Sequence, residues 1–84
     1  MSYTVLLSNQ AEKFYKKLRK NVRARVREAL ITLESQPQAG KRLHGELREN
    51  YSLRVGKLRV IYYVSEKDKI IYVIAIGPRK TIYK

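Results

Sequence analysis

The chain has 84 residues, which is enough for one small domain spanning residues 1–84 and too few for two. It contains no cysteine, so disulfides, thiolate metal sites and a thiol nucleophile are excluded. Nineteen Lys and Arg side chains against seven Asp and Glu leave a net charge of +12. That charge predicts an acidic partner, such as nucleic acid, an acidic protein or an anionic membrane face.

The N-terminus shows neither a basic leader nor a long apolar run, since Val5–Leu7 is its longest uninterrupted apolar stretch. We therefore expect a cytoplasmic protein without a membrane partner. Residues 1–36 hold eight basic and three acidic side chains, and residues 37–84 hold eleven and four. The positive charge thus covers the whole molecule and is not confined to a basic tail.

The first part of the sequence predicts one strand followed by two helices. Residues 3–8 form the strand, and Asn9 with Glu12 offers a start resembling a capping box. The apolar stripe of this first helix comprises Ala11, Phe14, Tyr15 and Leu18. Asn21 caps the second helix, which Pro37 ends. The short connection implies an αα-hairpin.

The next segment predicts a loop and then a hairpin. In residues 36–45 the apolar pattern lapses, which predicts a loop held to the domain through Leu43. Residues 51–64 alternate with period two on both sides of Gly56-Lys57. Gly-X is the pair that a two-residue type II′ turn prefers, so this segment predicts a β-hairpin.

A polar turn at 65–68 precedes the β-branched run 69–77, which predicts a centrally buried strand. The expected fold class is α+β. It comprises an N-terminal strand, the αα-hairpin and a three-stranded antiparallel meander, with both helices packed on one face of the sheet.

The predicted hairpin places two arginines face to face. A type II′ turn puts Val55 across from Leu58, so Arg54 lies directly opposite Arg59. Like charges in that arrangement destabilise strand pairing by roughly a few tenths to 1 kcal/mol. A sheet selected for stability alone would avoid the arrangement, which favours a role in binding an anion.

The C-terminal segment adds to this cluster. If Val64 pairs with Lys69, the last strand ends near the hairpin turn, and Pro78 marks that end. Arg79 then approaches the arginine pair, and Tyr83 follows it. Guanidinium groups suit phosphate oxygens, and cations fixed in advance stabilise the charge of a phosphorane-like transition state. Two roles stay open for Tyr83. It carries a proton, because the neighbouring arginines lower the pKa of its phenol from the ordinary value of about 10, or its ring stacks on a base.

The usual acid–base residues are scarce. His44 is the only histidine, and a lone loop histidine is more often incidental than catalytic. None of the seven acids falls on a predicted polar strand face. A metal or paired-carboxylate nuclease is therefore disfavoured, and we expect neither a metal nor a small-molecule cofactor.

The order of elements, the loop "GKRLHGEL", the hairpin "YSLRVGKLRVIYYV" and the ending "IGPRKTIYK" resemble the RelE/ParE toxin superfamily over nearly the whole chain. Such hairpins occur throughout the superfamily, including members that act on gyrase. The ending resembles the RelE-type messenger-RNA endonucleases, in which an arginine shortly after the last strand is followed four to six residues later by a tyrosine. Arg79 and Tyr83 stand at those places.

The resemblance implies a toxin of a type II toxin–antitoxin system that cleaves messenger RNA on the ribosome without a metal. The ribose 2′-hydroxyl attacks the adjacent phosphate. Arg59 and Arg79 match residues that contact or stabilise the scissile phosphate, and Arg54 stands where relatives carry a basic residue, commonly lysine. Tyr83 matches the catalytic or base-stacking tyrosine.

Two positions depart from the family pattern. Ser52 stands where some members have lysine, and Pro78 stands where many have histidine or lysine. The general base is therefore left open among Lys41, Lys57, Lys80 and Lys84. The residues expected to contact RNA around the catalytic ones are Lys41, Arg42, Ser52, Lys57, Lys80 and Lys84.

The resemblance also implies a small, acidic or amphipathic cognate antitoxin, besides the ribosome and messenger RNA, as partners. Two other functions stay open. One is a non-catalytic ParE-like toxin that inhibits DNA gyrase, and the other is a basic RNA-binding relative that has lost activity.

Overall fold

The computed structural model describes residues 2–43 and 50–78. The elements in chain order are β1 (Thr4–Leu7), α1 (Asn9–Lys16), α2 (Lys20–Ser35), β2 (Lys41–Arg42), β3 (Asn50–Val55), β4 (Leu58–Ser65) and β5 (Ile70–Pro78). Both helices pack against the same face of one mixed sheet, which confirms the predicted α+β class.

Within the described ranges, neither helix has the length and apolar character needed to cross a bilayer.

In the described part of the chain, the sheet has five strands in the order β1-β5-β4-β3-β2. β3, β4 and β5 form the predicted antiparallel meander, and β1 pairs parallel to β5. The fifth strand, β2, corrects the expectation of a loop throughout 36–45, because Lys41 pairs with Ser52 and Arg42 with Tyr51. A strand of two residues leaves no period in the sequence from which to predict it.

The hairpin between β3 and β4 matches the prediction in register and turn. Arg54 lies opposite Arg59, and Val55 lies opposite Leu58. Gly56 has φ +60°, while Lys57 does not enter the positive-φ region. A two-residue turn with positive φ at its first position alone is the type II′ geometry, for which glycine is required.

The expected register between β4 and β5 was wrong by two residues, because Val64 pairs with Ile71 and not with Lys69. A bulge between Ile61 and Tyr62 then shifts the pairing by one more residue, and Leu58 lies opposite Pro78. The conclusion drawn from the register nevertheless holds. β5 ends beside the hairpin turn, at Pro78.

Both predicted helix caps were misplaced. Ser8, not Asn9, caps α1, because its hydroxyl accepts a hydrogen bond from Ala11 N at 3.1 Å. The residue before α2 is Arg19, not Asn21, and its side chain makes no capping bond. The αα-hairpin itself is confirmed, since only residues 17–19 separate the helices.

The core lies between the helices and one sheet face. Its fully buried side chains are Ala11, Val26, Leu33, Val60, Tyr62, Ile71, Val73 and Ile76. The strand members of this set alternate with residues of the opposite face, as period-two geometry requires, except between Val73 and Ile76, where the bulge in β5 adds one residue. We call the face turned away from α1 and α2 the open face.

Two side chains at the start of α1 extend the pairing of β5 beyond the end of β1. Gln10 donates from Nε2 to the Ile76 carbonyl and accepts at Oε1 from Ile76 N, both at 3.1 Å. Ser8 donates its hydroxyl to the Ile74 carbonyl at 2.6 Å. The polar groups on this edge of β5 are thus satisfied although β1 stops at Leu7.

Candidate functional site

The open face has two chemically different ends. Arg54 and Arg59 form the cationic end, next to the hairpin turn. The next set of cross-strand neighbours away from the turn is Ser52, Ile61 and Ala75. The set after that is Asn50, Tyr63, Tyr72 and Leu6. We call Leu6, Tyr63, Tyr72 and Ile74 the aromatic end. Their side chains are between 38 and 43% exposed.

The two arginines of the cationic end have no acidic partner among the described residues. The ion pairs found in that part of the chain join Glu12 to Lys16 and Glu66 to Lys69, away from the hairpin turn. Arg54 is exposed and donates from Nε to the Gly56 carbonyl at 3.2 Å, so its terminal nitrogens stay available. Two uncompensated guanidinium groups side by side form a site suited to an anion.

A cleft of about 360 Å³ opens beside the arginine pair. Its lining residues are Ala39, Gly40, Lys41, Leu43, Ser52, Leu53, Arg54 and Arg59. This volume lies within the usual range of small-ligand clefts. Three of these eight described residues are cationic, so the cleft suits a phosphorylated ligand or a segment of nucleic-acid backbone.

A buried tyrosine holds one wall of this cleft in place. The Tyr62 hydroxyl donates to the Pro37 carbonyl at 2.8 Å and accepts from Gly40 N at 2.9 Å. Burial raises the pKa of Tyr62, which keeps the phenol protonated as a donor. A Cβ on Gly40 would lie 2.8 Å from the Tyr62 hydroxyl and 3.0 Å from the Ser52 carbonyl. Only glycine fits this close approach.

The structure brings four of the predicted site residues together in the cleft, namely Lys41, Ser52, Arg54 and Arg59. Arg42 does not line it, because neighbouring residues of β2 point to opposite faces. Lys57 is exposed at the hairpin turn. The predicted residues Arg79, Lys80, Tyr83 and Lys84 lie outside the described residues, as does His44.

One cation near the hairpin turn was missed in the sequence. Arg25 of α2 reaches the hairpin turn, where a Cβ built on Gly56 would lie 3.5 Å from its Nη1. In the sequence Arg25 is one of eight basic residues between positions 13 and 27. No local pattern distinguishes it, because its contact depends on how α2 crosses the sheet.

At the aromatic end, the rings of Tyr63 and Tyr72 stack with centroids 6.4 Å apart. Both rings remain exposed on the open face, Tyr63 by 38% and Tyr72 by 40%. Within the described residues, no three side chains of the usual metal-ligand types come together.

Comparisons with known proteins identify this small basic chain as a toxin of the RelE/ParE superfamily. The model of a family described as ParE toxin of the type II toxin–antitoxin system parDE matches residues 5–83. The chain therefore belongs to the ParE toxin family. A comparison of the sequence with curated proteins found no significant match.

Solved structures of RelE proteins share this fold over nearly the whole chain. The RelBE2 toxin–antitoxin complex of Mycobacterium tuberculosis matches at TM-score 0.85 and 27% identity, covering 94% of this chain and 100% of that one. The archaeal RelE–RelB complex of Pyrococcus horikoshii matches at TM-score 0.79 and 32% identity, covering 96 and 99%. Isolated E. coli RelE, at TM-score 0.80 and 24% identity over 98 and 92%, is similar in fold.

Proposed function

We propose that this toxin is a metal-independent endoribonuclease that cleaves messenger RNA on the ribosome and so inhibits translation. The observation that carries the proposal is the Arg54–Arg59 pair, which faces a cleft with no acidic partner among the described residues. The 32% identity to an archaeal RelE, across nearly the whole of both chains, supports the same function.

In the proposed reaction, the ribose 2′-oxygen forms a bond to the adjacent phosphorus and the bond from phosphorus to the 5′-oxygen breaks. The 2′-proton goes to a general base, and the leaving 5′-oxygen takes up a proton. The products are a 2′,3′-cyclic phosphate and a new 5′-hydroxyl end. Because negative charge accumulates on the phosphate oxygens in the transition state, the Arg59 guanidinium stabilises it more than it stabilises the substrate.

The remaining roles are assigned by position and by sequence. Lys41 lines the cleft and is the best-placed described candidate for the general base. Arg54, on the neighbouring strand of the hairpin, neutralises the same phosphate. Arg79 follows Pro78, which lies opposite Leu58 at the hairpin turn, and is proposed as the third phosphate ligand. Tyr83 is proposed to stack on a base or to protonate the leaving oxygen.

We also propose that a small acidic or amphipathic antitoxin holds the protein inactive in the cytoplasm. The M. tuberculosis and P. horikoshii relatives are toxin–antitoxin complexes. The net charge of +12 favours rapid association with an acidic chain. A short acidic reading frame adjacent to the gene for this chain would supply the partner to test.

Brief expression in bacteria followed by mapping of message 5′ ends tests the proposal. The unmodified toxin should produce breaks within translated codons. Arg59→Ala should lower cleavage by about 100-fold or more, the usual effect of losing one group that stabilises transition-state charge. Arg27→Ala, which removes an equal charge from an exposed position on α2, should cleave normally. Intact messages in cells arrested by the unmodified toxin would refute ribonuclease action.

Inhibition of DNA gyrase is the second candidate, because the matching family model is that of ParE. It predicts a DNA-damage response while messages stay intact, so the same cultures distinguish the two activities. The variants Arg79→Ala and Tyr83→Phe distinguish the two activities further, because both should reduce message cleavage if the toxin is a ribonuclease.

A further inference from the structure

Arg25 approaches the hairpin turn from the helical layer, whereas Arg54 approaches it from the open face. The Arg25 Nη1 lies 3.5 Å from where a Cβ on Gly56 would stand. Arg54 donates from Nε to the carbonyl of the same glycine at 3.2 Å. Lys57 is exposed on the adjoining turn residue. Two cations, from α2 and β3, therefore lie close to one glycine, and a third follows it in the chain.

No described acid compensates this group. Glu28 lies one helical turn beyond Arg25, but the two form no ion pair. Grouping like charges around a turn destabilises the empty protein. Gly56 has no side chain to block a ligand from the turn backbone beside Arg25 and Arg54. We infer that Arg25, Arg54 and Lys57 form a second phosphate-binding site that takes an RNA backbone phosphate next to the scissile one.

The spacing along the hairpin separates this site from the reaction centre. Gly56 lies in the turn, two residues beyond Arg54, so the chain between them spans at most about 7 Å. Arg59 remains at the cleft, while the Arg54 guanidinium turns towards the glycine and stands between the two positions. A single phosphate does not reach from Arg59 at the cleft to the Gly56 turn, whereas two consecutive phosphates of one RNA strand do. The second site thus fixes the direction in which the RNA crosses the sheet.

This inference rests on the proposed function, and the test keeps the two apart. The first measurement is binding of purified protein to a fluorescent single-stranded RNA made uncleavable by 2′-deoxy substitution. Arg25→Ala should weaken binding about fivefold or more. The slope of log affinity against log salt concentration should fall by about 0.7, the value for one released counterion on a single strand. Arg27→Ala is the matched control, and both values should stay near those of the unmodified protein.

The second measurement is cleavage of message on programmed ribosomes. Arg25→Ala should raise KM about fivefold and leave kcat within about twofold, because it contacts a phosphate that does not react. Arg25→Lys should keep most of the salt slope and recover part of the affinity, since it retains charge but not the planar fork. Arg59→Ala, in contrast, should lower kcat.

The outcomes separate the hypotheses. Equal effects of Arg25→Ala and Arg27→Ala on RNA binding and on KM would overturn the second site. Weakened binding of an acidic antitoxin with unchanged RNA binding would also overturn it and assign Arg25 to a protein interface. If the unmodified toxin cleaves no message, the proposed function fails, and the salt slope still decides whether Arg25 binds phosphate.

Discussion

The two faces of the same strands differ in how their side chains are satisfied. On the helix-covered face, Tyr62 is fully buried and its hydroxyl makes two hydrogen bonds to the 37–40 segment. Its neighbour Tyr63, on the open face, is exposed and stacks on another exposed tyrosine. The fully buried apolar side chains of the core lie on the first face, although Ser52 and Ile61 are also buried on the second. The second carries uncompensated charge and exposed rings, which a binding partner explains and folding does not.

The largest expected effect contrasts two isoleucines of β5. Ile76 is fully buried in the core, whereas Ile74 is 42% exposed. Ile76→Ala should lower the free energy of unfolding by about 2–5 kcal/mol, because it removes buried apolar surface and leaves a cavity. Ile74→Ala should cost less than about 1 kcal/mol. Urea denaturation of both variants measures the difference.

Similar losses in the two variants would show that the open face also belongs to the stabilising core. The contrast between the faces would then fail, and the aromatic end would need no binding partner.

The parts of the fold that sequence predicted are those set by neighbouring residues. The β3–β4 hairpin follows from alternation around Gly56, and its register places Arg54 against Arg59 as expected. The expected β4–β5 register was wrong because the turn occupies residues 66–69 and not 65–68, and a bulge then inserts one more residue into β5. Ser8, which caps α1, donates its hydroxyl to the carbonyl of Ile74, the extra residue of the bulge. Contacts between elements distant in sequence carry no local signal.

The next expected effect contrasts the two adjacent tyrosines of β4. Tyr62→Phe should cost about 1–3 kcal/mol, because the Pro37 carbonyl and Gly40 N lose their partner within a partly buried segment. Tyr63→Phe should be nearly neutral. Because Gly40 lines the cleft, Tyr62→Phe should also weaken RNA binding. Thermal unfolding and the RNA titration measure the two effects, and equal stability losses would contradict the contrast.

A smaller effect is expected at the junction of α1 and β5. Gln10→Ala leaves both backbone polar groups of Ile76 without the side-chain amide and should cost about 1–2 kcal/mol. Asn9→Ala, at an exposed position one residue earlier, is the control and should cost less than about 0.5 kcal/mol. Hydrogen exchange of the Ile76 amide should rise in the first variant only. An unchanged exchange rate would show that Gln10 does not support this end of β5.

The candidate site was predictable in its charges but not in its shape. Arg54 and Arg59 were found because one hairpin places both of them. The cleft beside them was missed, since its other wall comes from β2 and the 39–43 segment, which has no periodic pattern. Arg25 was missed for a different reason. A helix with basic residues around much of its surface does not reveal which of them the packing turns towards the sheet.

The smallest expected effect is a loss of stability at high pH. Burial raises the pKa of Tyr62 in the folded state, so the phenol loses its proton more readily when the chain unfolds. Its contribution to stability is complete below the unfolded-state pKa of about 10 and declines as pH rises through the folded-state value.

The pKa of Tyr3 is also raised, because its hydroxyl donates a hydrogen bond to the Glu66 carboxylate, so Tyr3 contributes to the same loss of stability at high pH. Tyr3 lies on the surface beside Lys69, so added salt should weaken its share more than that of Tyr62. Urea denaturation between pH 8 and 11 should therefore show that the free energy of unfolding declines as pH rises. Tyr62→Phe should reduce this decline at any salt concentration, whereas Tyr3→Phe should reduce it mainly at low salt. An undiminished decline in Tyr62→Phe would mean that water reaches the phenol. The helix-covered face would then be less closed than its packing indicates.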